Sequence, residues 1–469
     1  FGISEEGKID PNVDSVNGIP LTRTEKSQRK ELLEKIAQEG YQTVMEEVAY
    51  TWFNRFAALR YMEVNRYLPS HIRVFTNDAG EFHPQILTEA LQLKLKGLDE
   101  EKVFQLKNDS RDEELFQYLL VVQCNALNEI LPDMFQKIAD YTELLMPDHL
   151  LRQGSVLEQM VVLIPEEDWR DQVQIIGWLY QYYNTEPKDQ VFTELKKKKK
   201  KITRDKIPAA TQLFTPEWIV RYMVENSLGR LWLEGHPDTK AEFLLTPEEQ
   251  RNLRENRQEN GKWKYFLEEE PQVSETELQL KKIRQIYGML GPEDITCLDP
   301  CMGSGHILCY FFDCLIKIYE SYGYTDREAA GKIVEKNLYG LDIDERAAQM
   351  AYFAVMMKGR QYDRNFFSRH LRPHVYAIEE SNGMEKWEGE IPQTQALDLS
   401  ETYLEATDYL IDTFQDAKEY GSLIEVEPRD YEGLAAEIAR LQQEGTDDLL
   451  LAGWLQTDGD RLVRLARQA

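Results

Sequence analysis

Two acidic residues and a glycine turn are the residues most suited to chemistry in this chain. The stretch Asp294–Leu308 (DITCLDPCMGSGHIL) reads as an apolar strand over Ile295–Leu298, stopped by Asp299 and Pro300. A tight turn at Gly303, Ser304 and Gly305 follows, and a helix opens at His306. Glycines there permit positive φ and let a ligand come close to the backbone. The helix start offers unpaired N–H groups. A phosphate loop would add a lysine, as in G-x-x-x-x-G-K-[ST]. This turn has none, and it lacks the third glycine of the dinucleotide fingerprint. The acid at the strand tip, Asp299, would repel a phosphate and suits a cationic or amino-bearing ligand. A second strand, Leu338–Ile343, ends in Asp342 and Asp344. An acid at that tip is the usual acceptor for ribose hydroxyls, although it lies further from the turn than the usual ~20 residues. An extra helix over Asp326–Asn337 fills the difference, and Asp344 reads as the cap of the next helix. The matching ligand carries a ribose and an amino group and needs no phosphate, a description that S-adenosylmethionine fits.

Two strand tips are held side by side by a βαβ unit, so the fold class is α/β. The rest of the chain reads as helices around that unit. Phe1–Thr22 has no apolar periodicity and reads as an irregular arm. Helices are predicted from a Thr24 cap to Gln38, and over Tyr41–Tyr61, Gln85–Leu95, Glu113–Ile130, Gln153–Leu163 and Trp169–Tyr183. Residues 1–195 thus form a helical N-terminal domain, whose aromatic stripes read as core rather than as base-stacking platforms. Residues 196–207 form a basic linker. The domain that bears the motif covers 208–469, with a charged helical insertion at 234–291. Thr215 is a good N-cap with Pro216 at the first helical position. Beyond Arg346 come a helix, a third strand over His374–Ile378 ending at Glu379 and Glu380, and a helix over Leu399–Lys418. A short strand at Leu423–Val426 and helices over Tyr431–Gln443 and Leu449–Gln468 complete the pass.

Composition narrows the class. The 469 residues are 42% hydrophobic and 29% charged, enough for soluble globular cores. No apolar run is long enough to span a bilayer and the first residues show no signal-peptide pattern, so no membrane is expected. The five cysteines include four within Cys297–Cys314, but their spacings are not C-x-x-C. They read as buried thiols of a reducing, cytoplasmic setting, with no metal site. A net charge of −28 argues against nucleic acid binding over the whole surface and leaves room for a local basic groove. The run Lys196–Lys201 is either a solvated linker or a loop that contacts phosphates.

Three segments resemble the amino-methylating DNA methyltransferases. DPCMGSGHIL is similar to their first motif, LYGLDIDERAAQMA to their second, and QLFTPEWIVRYMVENSLGRLW to the motif placed ahead of both when target recognition comes last. With IPAATQLFTP, the long helical N-terminal region and DTFQDAKEYGSLIEV, the chain resembles the PglX-type adenine-specific methyltransferases of BREX phage-defence systems. The resemblance covers most of the chain and is most specific from Pro208 to Phe366. It implies a partial Rossmann-like, S-adenosylmethionine-dependent methyltransferase domain behind the helical N-terminal domain. Phe214 and Thr215 would line the methionine end of the cofactor, and Asp299 would hold its amino group. Pro300, Cys301, Gly303, Ser304 and Gly305 would form the turn beneath it. Asp342 would accept the ribose hydroxyls. Glu379 or Glu380 would contact the adenine amine, with Asp416 as a rival, and His306 would serve helix-start packing.

The resemblance also implies methyl transfer to the exocyclic amine of a flipped adenine in double-stranded DNA, marking self DNA in phage defence. Other phage-defence proteins would be partners, and the lysine run would touch DNA phosphates. The family's Asn-Pro-Pro-Tyr catalytic motif does not occur in this sequence. The resemblance places it beyond Ala469, followed by the target-recognition domain. The chain is therefore expected to be the N-terminal portion of the enzyme, without catalytic residues and inactive alone. Two other readings stay open: the methyltransferase half of a fused restriction–modification enzyme, and a non-catalytic cofactor-binding or interaction module.

Overall fold

Apolar residues recur at three- and four-residue spacing through most of this chain, and helices dominate the computed structural model, beside one small parallel sheet. The structure describes residues 2–5, 13–16, 18–136, 141–198, 202, 206–211, 215–256, 261–386, 400–445 and 449–469. It divides into two compact units. The first comprises residues 1–183 and 352–371, the second 184–351 and 372–469.

The first unit is built on the helix Tyr41–Val64. Its predicted stripe of Val44, Val48, Trp52, Phe56 and Leu59 is buried. A minimal hairpin, β1 (Ser15–Val16) and β2 (Ile19–Pro20), precedes it. The first long helix spans Arg23–Glu39, and its cap is Thr22, not Thr24. Thr22 and Glu25 form a reciprocal capping box, which a Thr24 cap would forgo. Two predicted helices are broken. Gln85–Leu95 becomes a turn of helix at Gln85–Thr88 and a 3-10 turn at Ala90–Gln92. Trp169–Tyr183 separates into Glu166–Trp169 and Gln174–Tyr183, because Asp171 takes a left-handed φ of 56°.

The second unit holds the sheet. Strands β3 (Cys297–Asp299), β4 (Leu338–Asp342) and β5 (His374–Ala377) lie in the order β3-β4-β5, all parallel. The register sets Asp299 opposite Gly340 and Asp342 opposite Ala377. The helix His306–Ser321 makes the crossover, burying Leu308, Cys309, Phe312, Leu315 and Ile316. The predicted extra helix is Asp326–Lys332, continued by a π-helical turn over Ile333–Asn337. The wide turn delivers Asn337 into the core. Its amide donates to the carbonyls of Pro292 and Ile295 at 2.8 and 2.7 Å, and accepts from the Tyr319 hydroxyl at 2.9 Å. After β5, helices Glu401–Thr413, Tyr431–Glu444 and Leu449–Gln468 pack Leu410, Leu434, Ile438, Leu451 and Leu462 into one apolar cluster with Ile378. The predicted strand at Leu423–Val426 is absent: a 3-10 turn covers Gly421–Leu423. Leu423 is exposed there and has no strand to pair with.

The region of the predicted basic linker begins inside a helix, Thr185–Lys198, where Lys196 and Lys197 are exposed. Lys199–Lys201 lie outside the described residues. Lys206 pairs with Glu194 at 2.7 Å. No helix among the described residues is long and apolar enough to cross a membrane.

Candidate functional site

The tips of β3 and β4 bring Asp299, the glycine turn and Asp342 together. The turn is tied to β4 by two long-range bonds. The Met302 amide donates to the Leu341 carbonyl at 3.0 Å, and the Gly303 amide to Asp342 Oδ2 at 2.8 Å. Asp342 Oδ1 accepts from the Asp344 amide at 2.9 Å. Asp342 therefore shapes both its own strand end and the facing turn, and each oxygen keeps a lone pair for a ligand. Burial raises its pKa above the ordinary carboxylate value, opposed by these backbone donors.

Asp299 is buried at 5% exposure. Its Oδ1 accepts from the Cys301 amide at 3.2 Å, while its Oδ2 has no hydrogen-bond partner among the described residues. Burial again raises its pKa, and the nearby Asp342 charge adds to the effect. A buried carboxylate oxygen without a donor is costly, and an ammonium or amide N–H from a ligand would satisfy it.

The turn's backbone is held in unusual conformations. Gly303 and Gly305 have φ of 54° and 80°. A Cβ on Gly303 would meet no atom within 4 Å, so space opens over the turn there. A Cβ on Gly305 would sit 2.9 Å from the Ala351 backbone, so that glycine serves close helix packing. Gly340 serves the same end from below: a Cβ would lie 2.5 Å from Met302 Sδ. Pro300 and Cys301 are exposed at the turn, and Ser304 is half-buried.

Thr215 does not cap its helix. The helix begins at Glu217 with Pro216 at the N-cap, because the Thr215 carbonyl is held by His306 Nδ1 at 3.1 Å. That bond places the segment ahead of the helix beside the glycine turn. Phe214 lies outside the described residues. Asp344 caps the helix Glu345–Tyr362, accepting from the Arg346 amide at 3.1 Å and pairing with the Arg346 side chain at 3.0 Å.

The three acids weighed for the adenine amine are all engaged by other groups. Glu379 takes Arg464 Nε at 2.7 Å and lies 3.6 Å from Arg461 Nε. Glu380 accepts from the Lys418 amide at 3.0 Å. Asp416 exchanges hydrogen bonds with the Asn382 side chain, both at 2.8 Å. These acids tie the helical layer after β5 to the strand end.

Sequence reasoning missed Glu225. It is fully buried on the helix Glu217–Glu225 and accepts from the Tyr310 hydroxyl at 2.7 Å and from the Tyr265 amide at 2.5 Å. Burial raises its pKa. Tyr310 stands on the glycine-turn helix, with the Arg221 guanidinium 5.6 Å over its ring. This cluster and the Thr215–His306 bond clamp the two helices together. The only signal in the sequence was an acid on the apolar side of a short helix.

The residues present suit S-adenosylmethionine. Asp299 offers an unsatisfied acceptor for its amino group, Asp342 has lone pairs for its hydroxyls, and Gly303 leaves room above the turn.

No protein-family model matches the chain. Over 410 residues it is 40% identical to an adenine-specific methyltransferase PglX from Lacticaseibacillus casei (strain Zhang), covering 81% of this chain and 32% of that protein. Over 433 residues it is 37% identical to an adenine-specific methyltransferase BrxX from Escherichia coli O9:H4 (strain HS), covering 88% and 34%. The chain spans about a third of the length of these curated relatives.

Proposed function

We propose, for a chain that belongs to the PglX-type adenine-specific methyltransferases, that this segment binds the methyl donor of a DNA adenine methyltransferase. The observation that carries the reading is the unsatisfied Oδ2 of buried Asp299 beside Asp342, on either side of the Gly303–Gly305 turn. S-adenosylmethionine, when bound, supplies an electrophilic methyl group on a sulfonium. Asp299 holds the donor's amino group and Asp342 its ribose hydroxyls. The Gly303–Gly305 backbone lies beneath it, and Thr215, held by His306, lines the methionine end. Glu379 pairs with Arg464, Glu380 accepts from the Lys418 amide and Asp416 is bonded to Asn382, so the adenine contact is assigned to Glu379 only through the family resemblance.

The acceptor is the exocyclic amine of adenine in double-stranded DNA, presented by parts of the whole protein outside this segment. Transfer to it rests on positioning and desolvation. The biological setting we infer is cytoplasmic marking of self DNA in BREX-type phage defence, in company with other defence proteins. The layout we infer is a helical N-terminal domain to 195, a basic linker to 207, and a partial Rossmann-like methyltransferase domain with a helical insertion at 234–291.

Calorimetric titration of S-adenosylmethionine into the full-length protein tests the donor site. Saturable binding that Asp342→Ala removes is the expected result. Absence of binding by the unmodified protein, or binding indifferent to Asp342→Ala, would overturn the reading.

A further inference from the structure

We propose that Arg66, Arg360 and Arg364 form a strip that grips the phosphate backbone of nucleic acid, a surface separate from the Lys196–Lys201 run. The choice of nucleic acid as the polyanion rests on the methyltransferase reading; the cationic strip itself does not.

The sign of charge reverses locally. The whole chain carries −28, yet residues 358–371 hold four Lys or Arg against one Asp. That acid, Asp363, is buried and already engaged. It pairs with Arg369 at 2.8 Å and accepts from the Asn365 amide at 3.0 Å. The Arg360 guanidinium lies 4.8 Å over the Tyr67 ring. Arg364 is exposed just beyond the end of the same helix, and Arg66, the residue before Tyr67, is exposed as well. None of the three forms an ion pair with a carboxylate among the described residues. Elsewhere arginines do so readily: Arg284 with Glu269, Arg440 with Glu437 and Glu444, Arg464 with Glu379.

The strip is also rigidly built. Gly359 admits the Phe366 ring so closely that a Cβ would fall 2.3 Å from it. The turn after the helix is thereby pinned, with its Phe366 amide bonded to the Asp363 carbonyl at 3.0 Å. Arg364 is carried on that turn. Arg360 and Arg364 oppose each other electrostatically, an effect that Asp363 partly offsets at Arg360, and an intervening phosphate would relieve the repulsion. A planar guanidinium, stacked and preoriented, matches phosphate oxygens in a bidentate manner. Such contacts fix the position of a duplex without reading its sequence.

The test compares the full-length protein with R360Q/R364Q and with R66Q. Binding of a labelled duplex is followed by fluorescence anisotropy across salt, from about 50 to about 200 mM. The double variant is expected to bind several-fold more weakly. Its plot of log affinity against log salt should be shallower by roughly two, about 0.9 for each lost phosphate contact. S-adenosylmethionine titration of the same variants should be unchanged, which separates this proposal from the donor-site reading. Unchanged affinity and slope in the double variant would overturn the strip. So would loss of binding to anionic phosphatidylserine vesicles with DNA binding intact, which would assign the strip to membranes. If the double variant fails to fold, R364Q decides, since Arg364 is an exposed residue: a salt slope equal to that of the unmodified protein refutes the proposal.

Discussion

His306 Nδ1 donates to the Thr215 carbonyl across 91 residues, at 3.1 Å. A carbonyl only accepts, so the proton sits on Nδ1 and the tautomer is fixed. Burial holds the imidazole pKa below its ordinary 6.5, so the ring is neutral at neutral pH. His306→Phe would strand the carbonyl at a cost of about 1–3 kcal/mol. The expected outcome is a lower Tm and an S-adenosylmethionine affinity roughly ten-fold weaker, equivalent to ~1.4 kcal/mol. The sign of the pH effect follows from the depressed pKa. Stability from the neutral ring is complete above the unfolded value of 6.5 and is lost as pH falls toward the folded value. The variant should therefore lose less stability than the parent as pH drops below 6.5.

Asp299 and Asp342 should respond in opposite directions to the same substitution. Both have pKa values raised by burial, so ionising them at neutral pH costs stability in the free protein. Asp299→Asn removes the buried charge and keeps an acceptor for the Cys301 amide. Its Tm without ligand should rise by a few degrees while donor binding is lost. Asp342→Asn would set an amide N–H against the N–H of either Gly303 or Asp344, and should lower stability by about 1–3 kcal/mol. Paired thermal melts and calorimetric titrations check both. A rise in Tm for Asp342→Asn would refute the structural role assigned to its two oxygens.

Gly340→Ala should displace the turn from a distance. The added methyl would overlap Met302 and Leu308, at 2.5 and 2.7 Å. Overpacking of this kind costs typically 1–3 kcal/mol. Chemical denaturation would show the loss. Donor affinity would fall with it, although residue 340 touches no ligand in the proposed site.

Glu293 sets an acid-sensitive brace. Its carboxylate contacts Lys332 at 2.5 Å, Tyr324 at 3.0 Å, and Lys336. Hydrogen bonds from the two lysines hold its pKa at about 2, below the usual 4.5. A depressed carboxylate pKa gives stability that is present above 4.5 and lost as pH falls toward 2. Glu293→Gln should flatten the pH dependence of stability in that window and change little at neutral pH, because exposed pairs contribute weakly. A steep acid transition persisting in the variant would show that other groups govern it.

The strand–turn–helix–strand core was legible because its signals are local: apolar runs, a glycine turn, acids at strand tips. The second residue of the Thr22 capping box is local too, but Thr24 offered an equally good hydroxyl and only the bond from Glu25 decides between them. Thr215 misled for a different reason. A threonine before proline is a good cap in isolation, and a histidine far along the sequence claimed its carbonyl. Glu225 was invisible because burial of a carboxylate depends on Tyr310 and Tyr265, neither near it in sequence. The engagement of Glu379 by Arg464 is likewise a product of helix packing and has no local mark.

The bond between Gly303 and Asp342 spans 39 residues, and the Met302–Leu341 bond has the same reach. The proposed donor cradle therefore has no local existence. It comes into being only when the loop containing two helices closes and β4 lines up beside β3, a non-local pairing whose entropy must be offset first. A chain emerging from the ribosome with its glycine turn already exposed has nothing with which to hold the cofactor until some forty more residues have followed. On the proposed reading, binding of the methyl donor would report that β4 has docked beside β3, and the donor would draw newly made protein toward that paired form.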